Sequence, residues 1–75
     1  MIFTRAQFSL IIGSKLRELR LSKGITIEQL SFQTRIDSKQ IIRIELGQIN
    51  TSIFQIYRIA NALSVDLKDV FFINQ

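Results

Sequence analysis

Five side chains between positions 38 and 43 have the chemistry needed to contact a nucleic acid. They are Ser38, Lys39, Gln40, Ile42 and Arg43. Lysine and arginine can pair with guanine O6 and N7, glutamine with adenine N6 and N7, and an apolar side chain can touch a thymine methyl group. These groups can act together only if they share one face of a helix. The alternative for each polar side chain is that it is simply solvated on an exposed face.

Residues 26–47 predict the two short helices that would present this face. The first runs from Thr26 to about Thr34 and the second from Asp37 to about Leu46, with a tight turn at residues 34–36 between them. Ile41 and Ile44 are spaced to lie on the side of the second helix opposite the polar group. The pattern is therefore typical of a helix-turn-helix.

Helix starts recur along the chain as capping boxes, in which a cap side chain and a Gln three residues later satisfy each other's backbone amides. The pairs are Thr4 with Gln7, Thr26 with Gln29, and Ser52 with Gln55, and the pair of Asp37 with Gln40 resembles such a box. A fifth start falls at Ser64 or Asp66. The predicted helices cover about 5–22, 26–34, 37–46, 52–63 and 66–72. Short helices with short connections predict a compact all-α domain that spans residues 1–75.

Apolar periodicity predicts which side of each helix faces the core. The first helix buries Phe8, Ile12, Leu16 and Leu19, and the fourth buries Ile53, Ile56, Ile59, Ala60 and Leu63. Gly24 is expected to end the first helix in a left-handed conformation. Gly13 lies inside that helix, where glycine costs roughly 1 kcal/mol relative to alanine. A close approach by another helix would explain it.

Charge is distributed unevenly along the 75 residues. The net charge is +4, and residues 1–44 hold eight of the ten basic residues but only three of the six acidic ones. The basic part coincides with the predicted helix-turn-helix, which suits a polyanionic partner such as double-stranded DNA. The alternative is a mildly basic, solvated surface.

Composition argues against several classes of protein. The chain has no cysteine and no histidine, so Ser-His or Cys-His catalysis and the usual zinc sites are excluded. The six carboxylates form no convergent pair, since Asp66 and Asp69 are better explained as a helix start. We therefore expect no enzyme, metal or cofactor. The lack of cysteine fits a cytoplasmic protein, and the sequence predicts neither a signal peptide nor a membrane span.

Residues 12–71 carry a specific set of further marks. These are Ile12-Gly13, Leu16 to Arg20, Gly24, Thr26 with Leu30, Ile36-Asp37, Ile41, Arg43 to Glu45, Gly47, Ser52, Ile56, Ile59-Ala60 and Leu63. In this combination the sequence resembles the phage repressor and Cro-like (XRE-type) helix-turn-helix family. The resemblance implies a five-helix, lambda-repressor-like DNA-binding domain with the helix at 37–46 in the major groove.

The resemblance also implies roles for individual residues. Base contacts fall to Ser38, Lys39 and Arg43, followed by Gln40 and Ile42. Phosphate contacts fall to Lys23, to the backbone amides around Thr26, and to the amides of Gln48 to Asn50 with the Asn50 side chain, with Arg35 as a further candidate. Arg20 and Glu45 correspond to a partly buried ion pair, which agrees with their positions next to core residues Leu19 and Ile44. Breaking such a pair costs about 3–5 kcal/mol.

Three positions depart from the family pattern. Ile27 stands where the family usually has a Gln that touches phosphate, and Thr51 replaces a usual proline. Arg35 stands where the family usually has a glycine in a left-handed turn, a conformation that strains other residues. We expect these departures to alter the grip on DNA or the local strain without breaking the fold.

Four apolar residues remain after the core is filled, and they predict a homodimer interface on the helices at 52–72. They are Phe54, Tyr57, Phe72 and Ile73. The alternative is that Tyr57 and Phe72 complete the core. The leading hypothesis is a homodimeric, sequence-specific transcription regulator, comparable to Cro-like repressors and restriction-modification controller proteins and regulated by its own concentration. The alternative function is an antitoxin-like module that binds a partner protein through the same apolar residues.

Overall fold

The computed structural model describes residues 2–72, and within them all regular structure is α-helical. The elements are α1 (Arg5–Ser22), α2 (Ile27–Thr34), α3 (Ser38–Glu45), α4 (Ile53–Ala62) and α5 (Leu67–Phe71). The predicted all-α fold is confirmed. The bounds of α1 match the prediction, and the ends of the other helices differ by one residue at most because the prediction included the caps. That residues 1–75 form one domain stays a prediction. Over residues 2–72, none of the helices is long and apolar enough to cross a membrane.

Two of the predicted capping boxes are complete. The Thr4 hydroxyl accepts from the Gln7 amide at 3.0 Å, and the Gln7 side chain accepts from the Thr4 amide at 2.9 Å. Thr26 and Gln29 repeat this arrangement at the same distances. The starts of α1 and α2 are therefore set by local sequence, because each box satisfies two amides that a helix leaves unpaired.

The other two predicted boxes are incomplete. Ser52 accepts from the Gln55 amide at 3.1 Å, but the Gln55 side-chain oxygen does not return to the cap and is buried without a hydrogen bond. Asp37 makes no side-chain cap. The Gln40 amide instead donates to the Asp37 backbone carbonyl at 2.9 Å. The first turn of α3 is thus satisfied by the backbone, and the prediction for Asp37 was wrong.

The core lies where all five helices meet: α1 packs on α3 and α5, α2 packs on α3 and α4, and α4 packs on α5. Its buried members are Ile12, Leu16, Leu30, Ile36, Ile41, Ile44, Ile56, Ile59, Ala60, Leu63 and Val70. Ile53 was predicted to be buried, but it is 68% exposed. It is the first residue of α4 and extends past the edge of the core. Phe8 was also predicted to be buried, but it is 38% exposed and stacks on Phe71, with 6.5 Å between ring centroids.

The expected close approach at Gly13 is confirmed. The carbonyl oxygens of Ile44 and Glu45 lie so near that a Cβ atom at this position would overlap them. The backbone of α1 therefore touches the C-terminal end of α3. Gly24 ends α1 as predicted, with a φ of 68°.

Candidate nucleic-acid interface

The outer side of α3 presents the side chains that were predicted to contact bases. Lys39 and Arg43 are exposed, and Ile42 is 42% exposed between them. Ser38 and Gln40 lie on the two flanks of this face and are half-buried. The structure therefore brings the five candidates together on one short helix. Two cations and an apolar group point outward, with smaller polar groups at the edges.

The inner side of α3 is fully committed to the core. Ile41 is completely buried, and Ile44 and Glu45 are nearly so. Ile36, immediately before the helix, is buried as well. Because both the approach to α3 and its inner face are packed, the orientation of its outer face is determined by the rest of the domain.

The predicted ion pair between Arg20 and Glu45 is present. Arg20 Nε donates to Glu45 Oε2 at 2.7 Å, and Arg20 Nη2 donates to Oε1 at 3.0 Å. Arg20 Nη1 also donates to the Ile25 carbonyl at 2.9 Å. The hydrogen bond to Glu45 raises the pKa of Arg20 above its ordinary value, although burial opposes the shift. Both side chains are buried. The pair therefore holds α1 and α3 together, and Arg20 is not available to contact DNA.

The predicted phosphate-contacting residues lie in the loops that join α1 to α2, α2 to α3 and α3 to α4. Among them, Lys23, Thr26, Arg35 and Asn50 are exposed, as is Gln48. Two of their backbone amides are already used inside the protein. The Thr26 amide donates to Gln29, and the Gln48 amide donates to the Arg43 carbonyl at 2.9 Å. The backbone amide of Gln48 is therefore not available for a phosphate, and Gln48 can contact one only through its side chain.

The turn between α2 and α3 has the predicted left-handed residue. Arg35 has a φ of 60°, and its amide donates to the Ser31 carbonyl at 2.8 Å. Arginine thus occupies a conformation in which a side chain other than glycine costs roughly 1–2 kcal/mol. The surrounding hydrogen bonds must hold this turn.

Two side chains that hold the turn were missed as functional residues. Ser31 donates to the Ile36 carbonyl at 2.6 Å. The Thr34 hydroxyl donates to the Leu30 carbonyl at 2.7 Å and accepts from the Ile36 amide at 3.2 Å. Small hydroxyl residues near a turn are a sequence signal for such bonds.

Arg58 on α4 was also missed. Its guanidinium donates through Nη2 to the Thr34 carbonyl at the end of α2. The guanidinium carbon also lies 5.9 Å from the centroid of the Phe54 ring. The bonded carbonyl is 24 positions away in the chain, so sequence spacing offers no signal for this contact.

The apolar residues predicted for a dimer interface are exposed where the structure describes them. Phe54 is 65% exposed, Tyr57 is 49% exposed, and their ring centroids are 6.2 Å apart. Phe72 is 68% exposed, and Ile73 lies outside the described residues. The alternative that Tyr57 and Phe72 complete the core was wrong. Phe32 on α2 is even more exposed, at 86%, and no pattern in the sequence predicted this.

Comparison with known proteins agrees with this geometry. A family model described as a helix-turn-helix domain matches residues 13–71. The chain belongs to the helix-turn-helix family. It is also similar to the control protein C.BamHI of Bacillus amyloliquefaciens, with 39% identity over 62 residues that cover 81% of this chain and 76% of that protein. The resemblance predicted from the sequence is confirmed.

Solved structures of the same family superimpose closely. The restriction-modification controller protein C.AhdI from Aeromonas hydrophila matches with a TM-score of 0.82 and 34% identity, over 85% of this chain and 97% of that chain. An HTH_3 family transcriptional regulator from Vibrio cholerae matches with a TM-score of 0.85 and 25% identity, over 91% of this chain and 38% of that one. This helix-turn-helix chain therefore shares its fold with transcription regulators and with a controller protein of nearly the same extent.

Proposed function

We propose that this protein, a DNA-binding transcription regulator of the helix-turn-helix type, acts as a homodimer that reads its operator with α3. The observation that carries the proposal is the division of α3 into two sides. Lys39, Ile42 and Arg43 face outward, whereas the opposite side of the helix is buried in the core. A rigidly held helix with outward cations suits entry into the major groove, which admits one α-helix.

Base specificity is assigned to the outer face of α3. Lys39 and Arg43 have the donors that match guanine O6 and N7, and Ile42 can contact a thymine methyl group. Ser38 and Gln40 are half-buried at the flanks and reach fewer positions. Lys23, Thr26, Arg35, Gln48 and Asn50 are proposed to contact phosphates, which positions the helix without reading sequence.

The homodimer is supported by the exposed aromatic face of α4, formed by Phe54 and Tyr57, and by an exposed aromatic residue at the end of α5. Phe54, Tyr57 and Phe72 expose large apolar side chains that the core does not use. Exposed apolar patches of this kind mark interaction sites. One helix makes few base contacts, whereas a symmetric dimer presents two, about 34–36 Å apart on successive turns of DNA. We therefore expect a two-fold symmetric operator.

The similarity to C.AhdI, a restriction-modification controller protein, supports a narrower form of the proposal. A controller of this kind would regulate the genes of a restriction-modification system. We propose no catalytic step for this protein. We expect it in the cytoplasm, because its proposed target is DNA.

Selection of bound sequences from random double-stranded DNA tests the proposed function. We expect the selected molecules to share two inverted half-sites with a spacing near one helical turn. Sedimentation of the protein with one such site should give two chains per DNA molecule. Equal affinity for the selected and random sequences at physiological salt would contradict sequence-specific regulation. A single chain per site would contradict the dimer alone.

A second candidate function is the binding of a different protein. The observation that favours it is Phe32, which is 86% exposed on α2 and belongs to neither the core nor the aromatic face proposed for dimerisation. In the antitoxin-like alternative, a partner would cover apolar residues and DNA binding would be absent. A chain that sediments as a monomer and has no measurable affinity for DNA would favour this candidate over the regulator.

A further inference from the structure

We infer that Arg58 is a positioning residue for α3, the helix proposed to read DNA, and that the ring of Phe54 holds Arg58 in place. The inference rests on the proposed function, since it assumes that α3 reads DNA. Arg58 lies on α4, and the turn that it contacts belongs to the helix-turn-helix. One side chain thus links the aromatic face proposed for dimerisation to the element that aims α3.

The turn between α2 and α3 contains an unfavourable backbone conformation that other contacts must stabilise. Arg35 occupies a left-handed conformation at φ 60°, which is unfavourable for a residue other than glycine. Thr34 precedes it and is buried. The last carbonyls of a helix have no partner within the helix, and a cation near this end also interacts favourably with the helix dipole. The Arg58 guanidinium supplies both the donor and the positive charge at the Thr34 carbonyl.

The bonds around Thr34 connect this carbonyl to the start of α3. The Thr34 hydroxyl accepts from the Ile36 amide at 3.2 Å, and Ser31 donates to the Ile36 carbonyl at 2.6 Å. Ile36 is itself buried two residues before α3 begins. Holding the Thr34 peptide therefore limits the directions in which α3 can leave the turn.

Phe54 supplies the second contact that fixes Arg58. The guanidinium carbon is 5.9 Å from the ring centroid, within the range of a cation–π interaction. The two residues are four positions apart on α4, which puts them on the same side of that helix. An arginine restrained by an aromatic ring loses less freedom when it forms its hydrogen bond, since its planar group is already oriented.

The first test measures amide hydrogen exchange by NMR in Arg58→Ala. We expect the Arg35 and Ile36 amides to exchange at least about tenfold faster than in the wild type, because local opening of the turn becomes easier. The Ile25 amide, which donates to the Arg20 carbonyl in the other loop, should not change. Phe54→Leu should speed the same two amides by a smaller factor. Unchanged exchange at Arg35 and Ile36 in Arg58→Ala would overturn the inference, and unchanged exchange in Phe54→Leu would overturn the role of the ring.

The second test separates positioning from direct contact with DNA. Arg58→Ala should weaken binding to the selected operator about tenfold, leave the affinity for random DNA near that of the wild type, and keep the salt dependence of binding unchanged. Arg58→Lys should recover part of the loss, because lysine can still donate to the Thr34 carbonyl. Arg5→Ala removes the same charge from an exposed site at the start of α1 and serves as the control.

The outcomes distinguish this inference from the proposed function. A phosphate contact by Arg58 would lower the salt slope by about 0.9 and weaken all sequences alike, which would overturn the positioning role. If the wild type prefers no sequence, the proposed function fails. The exchange rates of the Arg35 and Ile36 amides still decide whether Arg58 holds the turn.

Discussion

The two sides of α3 differ in what constrains them. On the inner side, Ile41 and Ile44 are packed and Glu45 is paired with Arg20 at 2.7 Å. On the outer side, Lys39 and Arg43 are exposed and make no hydrogen bond or ion pair from their side chains within residues 2–72. The inner side therefore determines where the helix lies, and the outer side is free to determine what it binds. Substitutions on the two sides should have separable effects on stability and on DNA recognition.

The largest effect is expected from Glu45→Ala on the inner side. The substitution leaves the buried Arg20 guanidinium without its carboxylate, which costs about 3–5 kcal/mol of folding free energy. For a domain of this size, that is a large share of the total stability. Urea unfolding followed by circular dichroism measures the loss. Glu18→Ala, at an exposed position on α1, should change the stability by less than about 0.5 kcal/mol. Equal losses in both variants would show that the pair does not hold α1 to α3.

A smaller effect with a different signature is expected from Arg43→Ala on the outer side. The folding free energy should be nearly unchanged. The binding free energy should weaken by about 1–3 kcal/mol at one operator position, and the preference for one base at that position should decrease. Affinity measurements on operators with each base at each position would reveal it. Arg17→Ala, on α1 and also exposed, is the control. If Arg43→Ala weakened every sequence equally, the assignment of Arg43 to base reading would be wrong.

Lys23→Ala tests the loop between α1 and α2. Lys23 is exposed at the end of α1, and loss of one phosphate contact should weaken all sequences alike. The slope of log affinity against log salt should fall by about 0.9. Titrations at several salt concentrations measure this change, and Lys68→Ala on α5 provides a matched loss of charge. A Lys23 variant with an unchanged slope would remove this residue from the phosphate contacts.

The smallest effect is expected from Arg35→Gly in the turn. Glycine relieves the left-handed strain at φ 60° but increases the entropy of the unfolded chain, so a net gain of about 0.5–1 kcal/mol in stability is expected. If Arg35 contacts a phosphate, affinity for DNA should fall in the same variant. Ser64→Gly, at a φ of 58°, should gain similar stability without affecting DNA binding. A loss of stability in Arg35→Gly would mean that the arginine side chain supports the turn.

Both sides of α3 were predicted from the sequence, but the same reasoning failed at the end of another helix. Periodicity identified Ile41 and Ile44 as buried because a helix repeats every 3.6 residues, and it identified Lys39 and Arg43 as outward for the same reason. It failed at Ile53, whose apolar side chain is predicted inward but is 68% exposed. Periodicity gives the face of a helix but not the depth of its ends, which depends on where the neighbouring helices stop.

Capping boxes show a similar limit. Thr4 and Thr26 cap their helices as predicted, because the partners are three residues away and need no other part of the fold. Asp37 follows a tight turn, and the backbone there satisfies the first amides of α3 instead. A capping signal in the sequence was therefore sufficient only where the backbone around the cap could adopt the conformation that the cap requires.

The sequence alone determined the five helices, the outward group on α3, the left-handed ends at Gly24 and Arg35, and the family to which the chain belongs. The helices, the outward group and Gly24 follow from spacing and residue type over a few neighbouring positions, whereas the left-handed conformation at Arg35 was implied by the family resemblance. The tertiary structure decided the contact of Arg58 with the Thr34 carbonyl and the exposure of Phe32, Tyr57 and Phe72. Each of these depends on residues from different helices meeting in space, and that meeting is determined by how the whole core packs.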